Sequence, residues 1–377
     1  MHSTLSRILI TAALLLVIVI AYVTRVRTGM SDFEVYHRTG QRFAAGESLY
    51  QTSDGHYMFK YLPSSGAVYV PFALLPMEAA KAAWFAMIIA AFSLVVWRSA
   101  RLIPDLRAGY VVALSVLILA KYLLHELRLG QINTLILLLN VLVIQALTRT
   151  PPAGPIAGVA AGLATAIKPY AAVTIAYLAV KRQWRAFAIA MATVVLAQAI
   201  PMLTYGVGGT LNELQLWRAT LSASTPALLT NSDAISVLAF FTKWLGNPST
   251  ASLVALGVLG VLALLFLAVV VRGKNAPDAA VLEGAMLLTL TPLVSPLGWD
   301  YNFLMALPAI MLILHHWPSF PRAARALLAI NLAVIALVLY DTIGRNAYAV
   351  FMQWSVTTMN FILVVLALAY LRFARVR

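Results

Sequence analysis

Residues 250–274 read TASLVALGVLGVLALLFLAVVVRGK, an uncharged run from Thr250 to Val271 closed by Arg272 and Lys274. At 1.5 Å of rise per residue such a run, as a helix, crosses the ~30 Å of hydrocarbon in a bilayer. It does not alternate residue by residue, as a strand of a membrane barrel does. Similar runs recur along the 377 residues, of which 62% are hydrophobic and only 11% charged, against ~25% charge in a soluble domain. The solvent for most of this chain is therefore lipid.

The formal net charge of +14 invites a nucleic-acid reading. The cations, however, gather in short linkers beside apolar runs: Arg98/Arg101/Arg107, Arg149, Lys181/Arg182/Arg185, Arg272/Lys274, Arg322/Arg325 and Arg372/Arg375/Arg377. That distribution is the positive-inside pattern, and the spacings fit an even number of crossings between clusters. The spans so placed are 7–24, 77–98, 108–124, 131–148, 154–168, 170–181, 185–203, 250–271, 279–295, 301–315, 325–340 and 355–372, with both termini inside. The expectation is an all-α polytopic bundle of about 12 transmembrane helices, a single integral membrane domain over 1–377. Residues 25–76 form a long first extracytoplasmic loop, and 204–249 a second one, with an interfacial helix over 232–247. The first run follows Arg7 and has a signal-peptide alternative; Arg25 and Arg27 and the lack of a small-x-small cleavage site favour a retained anchor. No cysteine is present, so disulfides are excluded.

Spans 154–168 and 170–181 are short and meet at Lys168-Pro169, which reads as a broken hairpin beside a polar cavity. The topology also sorts the acids. Asp32, Glu34, Glu47, Asp54, Glu126, Glu213, Asp233, Asp300 and Asp341 fall outside or at the outer span ends, opposite a basic inner face. Acids contribute little to topology and can gather anywhere, but a polar cavity open to the outside also accounts for them.

Directly after the first run comes Ser31-Asp32-Phe33-Glu34-Val35-Tyr36-His37. A carboxylate among aromatics at an interface is partly desolvated, which raises its proton affinity and suits it to general-base work. Ser31-Asp32 equally fits a helix N-cap with Glu34 in the first turn. Further on stand Gly46-Glu47-Ser48-Leu49-Tyr50, Phe59-Lys60-Tyr61-Leu62-Pro63, Leu129-Gly130-Gln131-Ile132-Asn133, Lys168-Pro169, Lys181-Arg182-Gln183-Trp184-Arg185 and Ser295-Pro296-Leu297-Gly298-Trp299. In this order, from about residue 30 to 305, they resemble the polyprenol-phosphate-mannose-dependent alpha-mannosyltransferases of glycosyltransferase family 87, in the GT-C superfamily.

The resemblance implies a GT-C type bundle and an inverting transfer of a hexose, most often mannose, from a polyprenyl-phosphate-sugar donor. The acceptor is a lipid-linked sugar or glycan, and the site faces the extracytoplasmic side of the cell membrane. It implies no cofactor, since the lipid-linked sugar is a substrate, and no nucleic-acid partner. Asp32 matches the family's acid in the first outer loop, with Glu34 in reserve and Asp300 as a further catalytic candidate. The departing phosphate needs positive charge or N–H donors, and Lys60, Lys168 and Arg345 are placed to serve. Lys168 can instead snorkel to the interface, and Arg345 can pair with Asp341 four residues earlier. Gln131 and Asn133 suit sugar hydroxyls or interhelical hydrogen bonds. Trp299, Tyr301 and Asn231 complete the substrate-binding candidates, although Asn231-Ser232-Asp233 also fits an N-cap.

One departure stands out: relatives commonly carry histidine just after the Trp, where this chain has Tyr301 and Asn302. His315-His316 reads as interfacial packing, because no further ligands accompany it, and no metal site is expected. Neither a Gly-x-Gly-x-x-Gly nor a Walker-type loop occurs, which argues against a nucleotide-sugar donor. The alternatives are a secondary transporter or flippase of a lipid-linked sugar, or a GT-C enzyme moving another sugar such as arabinose. Transporters usually show two matching halves, which this sequence lacks.

Overall fold

A computed structural model describes residues 16–106, 109–274, 276 and 279–374. The beginning of the first expected span, 7–15, together with Arg7, Arg107, Arg375 and Arg377, lies outside the described residues.

The chain is all-α; the described residues hold only one isolated β-bridge, Ala234 with Trp299. An apolar helix α1 (Leu16–Val26) leads into α2 (Ser31–Ala45), α3 (Pro63–Ala73) and α4 (Met77–Leu102). Next come α5 (Gly109–Ile118) and α6 (Ala120–Leu129), bent by 55° into one broken span, and then α7 (Asn133–Leu147) and α8 (Gly154–Ile167). A short 3-10 turn, Pro169–Ala171, joins α8 to α9 (Ala172–Val180). Helix α10 (Trp184–Ala199) and α11 (Met202–Leu228) form a second bent pair, at 97°. The chain continues through α12 (Val237–Leu245), α13 (Pro248–Arg272), α14 (Ala279–Val294), α15 (Leu307–His315), α16 (Arg322–Leu337), α17 (Tyr340–Ile343), α18 (Arg345–Gln353) and α19 (Val356–Ala374).

Among the described residues, three helices, α4, α13 and α19, are each long and apolar enough to cross a bilayer, and five spans result if each bent pair counts as one. The other apolar runs fold as helices of 10–17 residues. The protein is thus a multi-pass helical bundle, with many of its expected crossings built from broken pieces. Lipid-facing character shows on α13, where Leu253, Leu256, Leu264 and Val271 are all more than 60% exposed. Such a surface is stable only against hydrocarbon. The core is the reverse: along α14 every residue from Val281 to Leu293 is buried, Thr289 and Glu283 completely.

The break at Lys168 is real. Lys168 takes an extended conformation (φ −134°, ψ 116°) between α8 and the 3-10 turn. Its position is set by the tight approach of α8 to α10: a Cβ at Gly158 would stand 2.6 Å from the Ala186 carbonyl, and one at Gly162 2.5 Å from Thr193 Cβ. Small residues at four-residue spacing allow this backbone proximity. Toward the Lys181 end of α9, buried Glu283 accepts from Tyr177 Oη (2.8 Å) and lies 3.0 Å from Lys181 Nζ, tying α9 to α14.

Within segment 204–249, α11 runs to Leu228, kinked at Gly206 (φ 66°), before the short amphipathic α12. One expectation changes. Helix α12 is capped by Ser236, whose hydroxyl accepts from Ala239 N (3.0 Å), so the cap is not Asn231-Ser232-Asp233.

Candidate functional site

Helix α2 carries no side-chain cap; its N-cap is Met30, in the left-handed region (φ 63°). The N-cap role considered for Ser31-Asp32 therefore falls away, and the Asp32 carboxylate is free to point elsewhere. Met30 N donates to Arg128 O (2.6 Å), and Trp84 Nε1 donates to Gly130 O (2.9 Å), so the start of α2 rests on the turn that ends α6. Gly130 makes that turn possible. It sits at φ 71°, the left-handed conformation that ends many helices, and any Cβ there would meet Phe33 Cβ at 2.6 Å.

This junction places Gln131 against Asp32, and Gln131 Nε2 donates to Asp32 Oδ2. The other end of the amide is crowded with donors. Gln131 Oε1 accepts from Tyr36 Oη (2.9 Å), Lys168 Nζ (3.0 Å) and Tyr61 Oη (3.3 Å), while Nε2 also reaches Tyr301 Oη (3.2 Å). With Asn133 Nδ2 at 3.4 Å as a fourth, these donors lock the orientation of the amide, so that its N–H is committed to the carboxylate. Burial raises the Asp32 carboxyl above its ordinary range, opposed by the Gln131 hydrogen bond and by the charges of Lys168, His125 and Lys60. Burial lowers the Lys60 ammonium, which the Asp32 charge counters.

Next to this lies a second acid, Glu126, fully buried at the end of α6. It accepts from Asn133 Nδ2 (2.9 Å), Thr134 N (2.7 Å) and Thr134 Oγ1 (3.1 Å), and so satisfies the N-terminus of α7. Asn133 Oδ1 in turn accepts from Lys168 Nζ (2.7 Å) and Tyr170 Oη (2.8 Å). Lys168 is 5% exposed and its ammonium also lies 4.5 Å from the centre of the Tyr61 ring. Snorkelling does not describe it. Two of its three N–H donors go to Gln131 and Asn133, so it clamps both amides beside the two acids.

The third acid cluster is assembled by the bridge between Ala234 and Trp299. Ile235 N donates to Gly298 O (2.6 Å) and Asp300 N to Asp233 O (3.1 Å), which brings Asp233 beside Asp300. Asp300 faces His125: Nδ1 lies 2.9 Å from Oδ1 and 3.2 Å from Oδ2. The His125 and Tyr301 rings meet edge to face, centres 5.3 Å apart. Burial raises the Asp233 carboxyl, as does Asp300, against the pull of His125. Asn302 is buried, its Oδ1 without a hydrogen-bond partner among the described residues.

The structure thus brings together Asp32, Gln131, Asn133, Lys168 and Tyr301, with Lys60 within electrostatic range and Asp300 reached through His125 and Tyr301. Trp299 contributes its backbone to the bridge, and Asn231 folds back to accept from Asp233 N (2.9 Å). Glu34 does not join them. It faces Lys81 at 2.6 Å, and Lys81 also donates to Gly29 O (3.2 Å), which ties Glu34 to the α2 entry. Arg345 does not pair with Asp341 among the described residues, because Gly344 (φ 82°, ψ 156°) breaks the helix between them and removes the four-residue register. Arg345 instead lines a cavity of about 600 Å³ with Arg128, Ser232, Asp233, Tyr340 and Tyr348.

Sequence reasoning missed His125, the depth of Glu126, and the tyrosines 36, 61 and 170. His125-Glu126 interrupts an apolar stretch just before Leu129-Gly130-Gln131, and ionisable residues within a span are functional candidates by default.

The sequence pattern that defines glycosyltransferase family 87 matches residues 59–296. A polyprenol-phosphate-mannose-dependent alpha-(1-2)-phosphatidylinositol pentamannoside mannosyltransferase of Mycolicibacterium smegmatis is 29% identical over 292 residues, covering 74% of this chain and 66% of that protein. A polyprenol-phosphate-mannose-dependent alpha-(1-2)-phosphatidylinositol mannoside mannosyltransferase of Mycobacterium tuberculosis is 27% identical over 310 residues, covering 75% and 69%. The chain spans about two thirds of the length of these relatives. Among solved structures, apo ArnT from Cupriavidus metallidurans aligns with 15% identity and a TM-score of 0.43, over all of this chain and 78% of that one.

Proposed function

The chain belongs to glycosyltransferase family 87, and from that premise we propose that it transfers a hexose, mannose first, from a polyprenyl-phosphate-sugar to a lipid-linked or glycan acceptor. The observation that carries this reading is the Asp32 carboxylate, desolvated at the start of α2 and fixed by the Gln131 amide. An inverting displacement needs one base: the acceptor hydroxyl attacks the anomeric carbon, its proton passes to the carboxylate, and the bond to the lipid phosphate breaks with both electrons on the phosphate oxygen. Asp32 is that base. Gln131 aims it, and Lys168, by holding Gln131 and Asn133, keeps the amides in register as charge moves. The end of the bundle that carries Asp32, Asp233 and Asp300 faces outward across the cell membrane, in keeping with the cationic linkers at the other ends of the spans.

The test is purified full-length protein in nanodiscs, supplied with radiolabelled polyprenyl-phosphate-mannose and a panel of lipid-linked and free glycans. Labelled glycan product is expected, and Asp32→Asn, which preserves shape but cannot take a proton, should lower kcat by ~10²-fold or more. Absence of product with every acceptor and every polyprenyl-phosphate-sugar overturns the enzyme reading. Full activity in a folded Asp32→Asn variant overturns the role of Asp32.

A further inference from the structure

Departure of the lipid phosphate creates a problem that Asp32 does not solve. The donor is a phosphodiester with one negative charge, and the leaving group is a phosphate monoester that gains a second. That charge must be neutralised in a site of low dielectric, where it is far more costly than in water. A phosphate monoester has its second pKa near ~6, close to the ~6.5 of an ordinary histidine, so an imidazolium is matched to share or give a proton at that moment.

His125 has the geometry of such a donor. Asp300 holds Nδ1 through both carboxylate oxygens, at 2.9 and 3.2 Å, an arrangement that fixes the tautomer and stabilises the imidazolium. Tyr301 packs perpendicular to the ring, centres 5.3 Å apart. Nε2 has no hydrogen-bond partner among the described residues, and the side chain is 30% exposed. Three residues further along α6, and so on the same helix face, Arg128 lines the cavity of about 600 Å³ with Arg345. Neither guanidinium has a side-chain partner among the described residues, and their forked donors match phosphate oxygens. Asp233, on the wall of that cavity, acts electrostatically on His125, as does Asp32.

We propose that His125, oriented by Asp300, is the general acid that protonates the departing lipid phosphate, which Arg128 and Arg345 grip in the adjoining cavity. This rests on the transferase reading above. The proton balance closes: the acceptor hydroxyl gives its proton to Asp32, the bond from the anomeric carbon to phosphate oxygen breaks, and Nε2–H gives its proton to that phosphate. Asp32 ends protonated and His125 neutral, and one proton returned from Asp32 to His125 through water or the intervening polar groups resets the site. The groups that act on His125 are Asp300 and Tyr301 from the 3-10 turn, Asp233 from the segment before α12 and Asp32 from α2, with Lys121 on its own helix and Tyr348 from α18 acting on Asp300.

The experiment is the pH profile of kcat with polyprenyl-phosphate-mannose in nanodiscs, for wild type, His125→Asn and His125→Ala with and without added imidazole. Wild type should give a bell, the acidic limb from Asp32 and the alkaline limb from His125, which must be protonated to act. His125→Asn should lose ~10²-fold in kcat with donor KM changed less than threefold, and its alkaline limb should vanish. Imidazole should restore part of the His125→Ala loss at a pH where it is protonated. Unchanged kcat in either folded variant, or a loss that leaves the alkaline limb in place without imidazole rescue, overturns the proposal while wild-type transfer keeps the broader reading intact. If wild type itself transfers no sugar, the broader reading fails, and this proposal with it.

Discussion

Asp32 owes its chemistry to neighbours that the chain supplies from far away. Gln131 is 99 residues on, Lys168 further still, and Lys60 approaches from the segment before α3. Burial pushes the carboxyl up, and Gln131, Lys168, His125 and Lys60 pull it down, so each of them sets where a base at this position begins to fail in acid. The sign follows directly. A base works deprotonated, so activity is present above the carboxyl's pKa and is lost as pH falls through it. Lys60→Met removes a charge that lowers this pKa while keeping the apolar stem. Its acidic limb should therefore move to higher pH than in wild type, with kcat on the plateau little changed. A pH series of initial rates decides this, and a limb that stays put or moves to lower pH removes Lys60 from the field around Asp32. Asp32 and Gln131 were legible because each sits in a short motif. His125 was not, since a histidine inside an apolar helix has no partner until Asp300, 175 residues later, is folded against it.

At the scale of elements, the α6–α7 turn does the most positioning. Its Gly130 carbonyl takes Trp84 Nε1, its Arg128 carbonyl takes Met30 N, and its Gln131 takes Asp32. Substituting Gly130→Ala forces a Cβ into a left-handed residue and against Phe33, at 2.6 Å. Left-handed backbone alone costs ~1–2 kcal/mol for an L-residue, and the clash adds to it. The variant should melt several degrees below wild type and transfer more slowly, because α2 must move away from Gln131. A thermal scan with an assay on the same preparation checks both, and wild-type values in each would mean that the turn tolerates the displacement. The broken pair at Lys168-Pro169 was readable in advance because two runs too short to cross meet at a residue pair that disfavours helix. The kinks at Gly206 and Gly344 were not, because glycine within an apolar or mixed run is compatible with either outcome, and at 206–209 three glycines offer alternative break points.

For the whole molecule, the basic linkers predict an orientation, and a cysteine-free chain makes it directly measurable. Ser53, exposed in the turn between α2 and α3, and Lys274, exposed after α13, are suitable single-cysteine sites. A membrane-impermeant maleimide applied to intact cells should label Ser53→Cys, and should label Lys274→Cys only after permeabilisation. Labelling of both from the same side would overturn this topology. The sequence by itself determined that the chain is helical and lipid-solvated, where most helices lie, and which short motifs carry polar chemistry, because hydrophobic run length and charge placement are local quantities set by the bilayer. Only the tertiary structure decided that Glu34 is tied to Lys81, that Lys168 is buried as a clamp on two amides, and that His125 meets Asp300. Those outcomes depend on which helix ends come within ~3 Å of one another, and a polar side chain in a low-dielectric bundle takes its role from whichever partner satisfies it there.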